Sequence, residues 1–212
     1  MKKEFIVMIG DLIGSTEVKD RKLLQKRLVS AYKSANLLFK KHIYAPIKIT
    51  LGDEIACVLT SPSKLYQMVV HLLEGIHPYR MRFVFVKGEL TAGLETKDSA
   101  IIDGPAFRKA GEYISSAKST KADFIFDLGN LDKDEVLNSL ANLTIETKHD
   151  WTENQWKVAK LYGELKNQKK VAKKMKVSQQ NVAKTLKSIS WKKVCQAEET
   201  INKILSHYAN TT

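Results

Sequence analysis

The sequence contains little cysteine, and its cysteines and histidines do not show the spacing of a metal site. Its 2 cysteines, Cys57 and Cys195, lie far apart in the 212-residue chain. Neither stands near another cysteine or a histidine at the spacing of a metal site, so we interpret both as reduced thiols. The 5 histidines are scattered and are interpreted as surface or half-buried residues rather than ligands. These features predict a cytosolic protein.

The chain also lacks a long uncharged apolar run. No stretch of about 18 such residues is present, so we expect neither a membrane-spanning helix nor a membrane partner. The first apolar run ends at Gly10-Asp11, too early for a signal peptide, and we therefore expect a cytoplasmic location. With 43% hydrophobic residues, the chain is long enough for one sizeable core and a smaller second module.

Positive charge is concentrated near the C-terminus. Residues 151–212 hold 13 lysines and 4 glutamates, a net charge of +9 against +12 for the whole chain. A small, strongly basic module favours a polyanion partner, and a solvated lysine-rich surface is the alternative that charge alone leaves open. We therefore predict two domains, residues 1–148 and residues 149–212.

Acidic residues follow glycine directly after apolar runs in the first domain. Asp11 ends the first run, and Asp53 and Glu54 stand at the turn of a hairpin predicted over residues 47–60. If these strands pair, Asp11 and Asp53 converge at one edge of a sheet, where oxygen ligands suit Mg²⁺ and could hold substrate phosphates. Two ordinary turn aspartates are the plainer interpretation. The predicted metal ligands are Asp11, Asp53 and Glu54.

The segment after the first strand is a candidate phosphate site. We predict a helix over residues 17–42 with Ser15 or Thr16 as its N-cap, which would place free backbone N–H groups beside Asp11. The segment lacks both the Walker signature and the dinucleotide fingerprint. The residues expected to contact a nucleotide or phosphate are Leu12, Ile13, Gly14, Ser15, Thr16 and, from a later helix, Arg108.

The periodicity of the first domain predicts the element order β-α-β-β-α-β-α-β. Alternating β-branched and aromatic residues at 82–86 indicate a strand, and apolar residues at helical spacing indicate the helices between strands. This order is typical of an α/β (α+β) fold, namely a ferredoxin-like or nucleotidyl cyclase-like sheet with helices on one face.

The second domain is predicted to be all-α and to contain a helix-turn-helix over residues 167–186, which resembles region 4 of sigma factors. Val171, Ala172 and Val182 would face its core, and Ser178 would cap its second helix. Lys176 stands at the turn position where glycine is usual. The alternative is a small helical hairpin with a lysine-coated surface. A last helix, about residues 191–208, would pack on the module or form a homodimer contact.

If the motif binds double-stranded DNA, polar residues at the start of its second helix would contact base edges and lysines would contact phosphates. The predicted DNA-binding residues are Lys169, Lys170, Lys173, Ser178, Gln179, Gln180, Asn181, Lys184 and Lys187.

Three blocks of the first domain resemble known families. Residues 9–16 are similar to the first metal-binding segment of class III nucleotidyl cyclases, and residues 47–58 to their Gly-Asp hairpin. Together with residues 100–110, their order and spacing resemble the SatD family of small bacterial proteins. The resemblance implies that Asp11 and Asp53 hold Mg²⁺ ions, which in cyclases polarise a triphosphate and activate a 3′-hydroxyl.

The sequence departs from the cyclase pattern at positions that matter for turnover. Ile49 stands where cyclases select the purine, and Glu112 stands where they place a transition-state donor that a carboxylate cannot replace. We therefore expect metal and purine-nucleotide binding rather than catalysis, in a DNA-binding regulator with a sensing domain. The alternatives are an active magnesium-dependent nucleotidyl cyclase or transferase and a protein-interaction scaffold.

Overall fold

The computed structural model describes residues 4–209, which form a mixed five-stranded sheet and helices that pack around it. The strands are β1 (Glu4–Ile13), β2 (Ile43–Ile49), β3 (Ile55–Leu59), β4 (Arg80–Glu89) and β5 (Phe124–Asp127). The helices are α1 (Arg21–Leu38), α2 (Leu65–Ile76), α3 (Pro105–Thr120), α4 (Leu131–His149), α5 (Glu153–Leu165), α6 (Gln168–Met175), α7 (Gln179–Ser188) and α8 (Trp191–Ala209).

The sheet has the strand order β2-β3-β1-β4-β5. Its neighbouring strands are antiparallel except for β4 and β5, which are parallel and joined through α3. The predicted order of strands and helices is confirmed, and so is the α+β class. No helix within residues 4–209 is long and apolar enough to cross a membrane.

Helices cover both faces of the sheet, whereas we expected them on one. Alternate residues of β1 enter two separate cores: Met8 packs on the side of α1 and α2, and Val7 packs on the side of α3. On α3, Ala110 and Ile114 are buried in the second core. The strand periodicity of two produces this division, because both sets of β1 side chains are apolar.

The predicted start of the first helix is wrong. β1 continues to Ile13, Gly14 then adopts a left-handed conformation with φ of 67°, and a short 3₁₀ turn follows over Ser15–Glu17. The helix α1 begins only at Arg21, where the Asp20 side chain caps it by accepting a hydrogen bond from the Leu23 N–H group. No helix N-terminus therefore directly follows Asp11, and neither Ser15 nor Thr16 is its cap.

The C-terminal helices form a third core that is joined to the sheet by α8. Val171 and Val182 are buried in this core with Trp156, and Val194 of α8 packs against them. The other end of α8 packs in the main core through Leu205 and neighbouring apolar residues. The predicted division at residues 148 and 149 stays a prediction, since α8 contacts both parts.

The close approach of α1 and α2 gives a test of the packing. A Cβ atom at Gly75 would lie 2.7 Å from the Ala31 Cβ atom, whereas one at Gly111 of α3 would meet nothing within 4 Å. We expect Gly75→Ala to lower the free energy of unfolding by about 1–3 kcal/mol, because the two helix backbones must separate. The matched change Gly111→Ala should raise it by about 0.5–1 kcal/mol through helix propensity. Urea denaturation of both variants measures this, and equal effects would contradict the packing.

Candidate nucleic-acid interface and acidic sheet edge

The helices α6 and α7 are joined by a tight turn, and a side chain caps the N-terminus of each helix. The Asn167 side chain accepts a hydrogen bond from the Lys170 N–H group at 3.1 Å and so begins α6. Lys176 ends that helix in the left-handed region with φ of 56°. The Ser178 hydroxyl then accepts from the Asn181 N–H group at 3.1 Å and begins α7. Both predicted helices and the Ser178 cap are confirmed.

One face of each of these helices is held in the third core. Val171 and Ala172 of α6 are buried, and so are Val182 and Leu186 of α7. Their small and branched side chains let α6 and α7 pack together and against Trp156 of α5. The opposite face of α7 is left to solvent, as the spacing of its apolar residues predicts.

All nine residues predicted to contact DNA are exposed, and they lie on α6, on α7 and in the turn that joins these helices. The exposed residues are Lys169, Lys170 and Lys173 on α6, Ser178 at the cap, and Gln179, Gln180, Asn181, Lys184 and Lys187 on α7. Lysines of this face can reach phosphate oxygens, and the amide side chains can form paired hydrogen bonds with base edges.

The predicted acidic site lies at one end of the sheet, since β1 pairs with β3 up to Gly10 opposite Ile55. Asp11 comes next and is ion-paired on the α3 side of the sheet. One of its carboxylate oxygens lies 3.6 Å from the Arg82 Nε atom, and the other lies 3.4 Å from the Lys118 Nζ atom. Asp11 is thus neutralised by two cations of the chain itself.

Asp53 makes its contact on the other side of the sheet. Its carboxylate lies 3.8 Å from the Arg21 Nη2 atom at the start of α1, beside a cavity of about 280 Å³ that Gly52 also lines. Glu54 accepts a hydrogen bond from the Thr50 hydroxyl at 3.0 Å. Asp11 and Asp53 therefore share an edge of the sheet, but their carboxylates contact cations from different helices.

The predicted phosphate-binding residues are not gathered in one place. Leu12 is buried in the main core, whereas Gly14 and Thr16 are exposed in the turn before α1. Arg108 is paired with Asp103 at 3.0 Å near the start of α3. The Lys118 contact of Asp11 comes from the far part of α3, about 15 Å further along a helix that rises about 1.5 Å per residue. Arg108 and Asp11 therefore belong to different ends of α3.

A group of possible metal ligands that sequence reasoning missed lies elsewhere. Among residues 4–209, the group of three histidine, cysteine or acidic side chains whose ligand atoms lie within 4.8 Å of one another is Asp123, Glu146 and His149. It contains none of the three predicted metal ligands. The spacing of Glu146 and His149 on one helical face was visible in the sequence, but the approach of Asp123 was not.

Comparison with known protein families agrees with the resemblance seen in the sequence. A model of the SatD family matches residues 5–205, so the match spans both the sheet and the basic C-terminal helices. No curated protein matches the chain.

The left-handed residue between α6 and α7 gives a test of the turn. We expect Lys176→Gly to raise the free energy of unfolding by about 0.5–1 kcal/mol, since glycine adopts positive φ without the steric cost of a Cβ atom. Lys176→Ala removes the same charge but keeps the Cβ atom and should give no such gain. Urea denaturation distinguishes the two, and equal stabilisation by both variants would show that charge rather than backbone conformation is responsible.

Proposed function

We propose that this chain, which belongs to the SatD family, is a DNA-binding regulatory protein that places α7 in the major groove of double-stranded DNA. The observation that carries the proposal is the exposed polar face of α7, which stands opposite the buried Val182 and Leu186. Helices of this kind read base edges when their first turns enter the groove. Electrostatics favour the same partner, because the net charge of residues 151–212 is strongly positive.

The residues of this face divide into two roles. Gln179, Gln180 and Asn181 occupy the first turn of α7, where amide groups can read adenine edges. Lysines on α6 and further along α7 stand around them and would bind phosphates without sequence preference. The two carboxylates of α8 have partners within the chain: Glu198 is paired with Lys148, and Glu199 accepts a hydrogen bond from Cys195.

The phosphate role is tested by charge-matched variants. We expect Lys173→Ala/Lys184→Ala to weaken duplex binding and to make the plot of log K against log salt shallower by about 1 for each phosphate that is no longer neutralised. The control, Lys40→Ala/Lys41→Ala, removes the same charge from the exposed turn after α1 and should change the slope little. Fluorescence anisotropy at several salt concentrations measures both. Equal weakening in the two variants would mean that only net charge, and no defined surface, attracts DNA.

The base-reading role needs a different variant. For a duplex selected from a random pool, Gln180→Ala should make the binding free energy less favourable by about 1–3 kcal/mol. The affinity of the same variant for unselected duplex should change little. Selection followed by competition binding measures the difference. A variant that retains full discrimination would exclude Gln180 from base recognition.

We further propose that the sheet domain senses a purine nucleotide with Mg²⁺ at the edge that carries Asp11 and Asp53. Support comes from the resemblance of this edge to the cyclase motifs and from the cavity beside Asp53, which Arg21 also lines. Arg21 offers a cation for a phosphate group, and Asp53 offers a hard oxygen ligand. Both acids are ion-paired within the chain, so a Mg²⁺ ion would have to take the place of Arg21 at Asp53, or of Arg82 and Lys118 at Asp11.

The sensing proposal is tested by a thermal-shift comparison. ATP or GTP with Mg²⁺ should raise the Tm of the wild-type chain, because a ligand that binds only the folded state stabilises it. The rise should be lost in Asp53→Asn and kept in Asp98→Asn, whose carboxylate is paired with Lys48 instead. No rise with any purine nucleotide, or an equal rise in both variants, would contradict the proposal.

A further inference from the structure

Four ionisable side chains meet where the chain leaves the sheet for the C-terminal helices. Asp123 stands directly before β5, and Glu146 and His149 lie one turn apart at the end of α4. Arg80, the first residue of β4, reaches the same place. Elements that are far apart in the sequence thus bring two carboxylates, an imidazole and a guanidinium together.

The imidazole lies between the two carboxylates. The His149 Nδ1 atom is 3.5 Å from an oxygen of Asp123 and 3.5 Å from an oxygen of Glu146. The three ligand atoms lie within 4.8 Å of one another, so modest rotations would bring all of them to one ion at the usual distance of about 2.0–2.2 Å. Glu146 and His149 share one helix face, which fixes two of the three ligands on a rigid element.

A second observation points to a ligand. The His149 side chain is 10% exposed. Within residues 4–209 its Nε2 atom has no partner, and its Nδ1 atom faces the two carboxylates at 3.5 Å without the geometry of a good hydrogen bond. A buried polar group without a partner costs about 1–3 kcal/mol, so such groups are uncommon unless a water or an ion completes them. Burial, and after it the charge of Arg80, lowers the pKa of His149, and the neutral imidazole is the form that binds metals.

Arg80 is bonded to the same oxygen atoms. Its Nη2 atom donates to Asp123 at 3.1 Å and to Glu146 at 3.0 Å, and so supplies the positive charge that the two carboxylates need. Its side chain is nevertheless 42% exposed, whereas its Nε atom is buried without a hydrogen bond. Because its side chain is partly exposed, the guanidinium can turn out to solvent when a divalent cation takes its place at the carboxylates.

We propose that Asp123, Glu146 and His149 form a binding site for a first-row divalent transition-metal ion, in which the ion replaces the Arg80 guanidinium. One imidazole nitrogen with two carboxylate oxygens suits Zn²⁺ and its neighbours in that row, whereas Mg²⁺ prefers oxygen ligands alone. Water would complete the coordination on the side from which Arg80 withdraws. This site is separate from the acidic edge near Asp53 and does not depend on it.

The test is a titration of the full-length, tag-free protein with Zn²⁺ in competition with a chromophoric chelator. The wild-type chain should bind one equivalent. Glu146→Gln and His149→Ala should each weaken binding about tenfold or more, since loss of a ligand should cost at least as much as loss of a residue that only hydrogen-bonds to a ligand. Arg80→Gln should strengthen it about threefold or more, since no guanidinium then competes for the two carboxylates.

Two control variants make the result specific. Glu135→Gln removes an exposed carboxylate from the same helix, and His71→Ala removes a partly exposed histidine of α2 that contacts Ser34. Both should bind Zn²⁺ as the wild-type chain does. Glu146 is largely exposed, so its substitution should leave the fold intact, which circular dichroism checks.

Three results would overturn the proposal. The first is the absence of a saturable equivalent in the wild-type chain, and the second is binding by Glu146→Gln and His149→Ala that matches the two controls. The third is weaker binding by Arg80→Gln, which would show that the guanidinium supports the ion rather than being replaced by it.

Discussion

The buried ion pair between Lys148 and Glu198 joins the two parts of the molecule. The Lys148 side chain is 4% exposed at the end of α4, and its partner stands on α8. The ammonium group also lies 5.4 Å from the ring centroid of Trp151 and 5.0 Å from that of Trp156, so cation–π interactions stabilise its charge. Removal of Glu198 would leave the Lys148 ammonium group buried and unpaired, which costs about 3–5 kcal/mol in proteins. This pair, together with the apolar residues of α8 in the main core, holds the C-terminal helices to the sheet.

The helix α8 extends this connection along its length. Near its C-terminus, the Tyr208 hydroxyl donates to Asp134 at 2.8 Å, and the other oxygen of Asp134 accepts hydrogen bonds from the N–H groups of Leu128, Gly129 and Asn130. The helix α8 therefore packs both in the main core and in the core that holds α7. A ligand that altered α8 would have a physical route to α7.

Sequence reasoning predicted the features that depend on neighbouring residues. The order of strands and helices follows from local periodicity, and the cap of α7 follows from Ser178. The start of α1 was missed because Ser15 and Asp20 are both acceptable caps. In the structure the left-handed Gly14 leads into a 3₁₀ turn that contains Ser15, and Asp20 caps α1. The position of α3 on its own face of the sheet was missed, although the apolar residues on both faces of β1 indicate that both faces are covered. The approach of Asp123 to Glu146 and His149 was missed because it depends on tertiary contacts.

Amide hydrogen exchange of the full chain with and without duplex DNA shows whether the exposed face of α7 binds DNA. We expect slower exchange at residues 167–187 when DNA is added, since bound phosphates and groove walls would cover the turn and the start of α7. Slower exchange confined to the sheet, or no change at any residue, would contradict it.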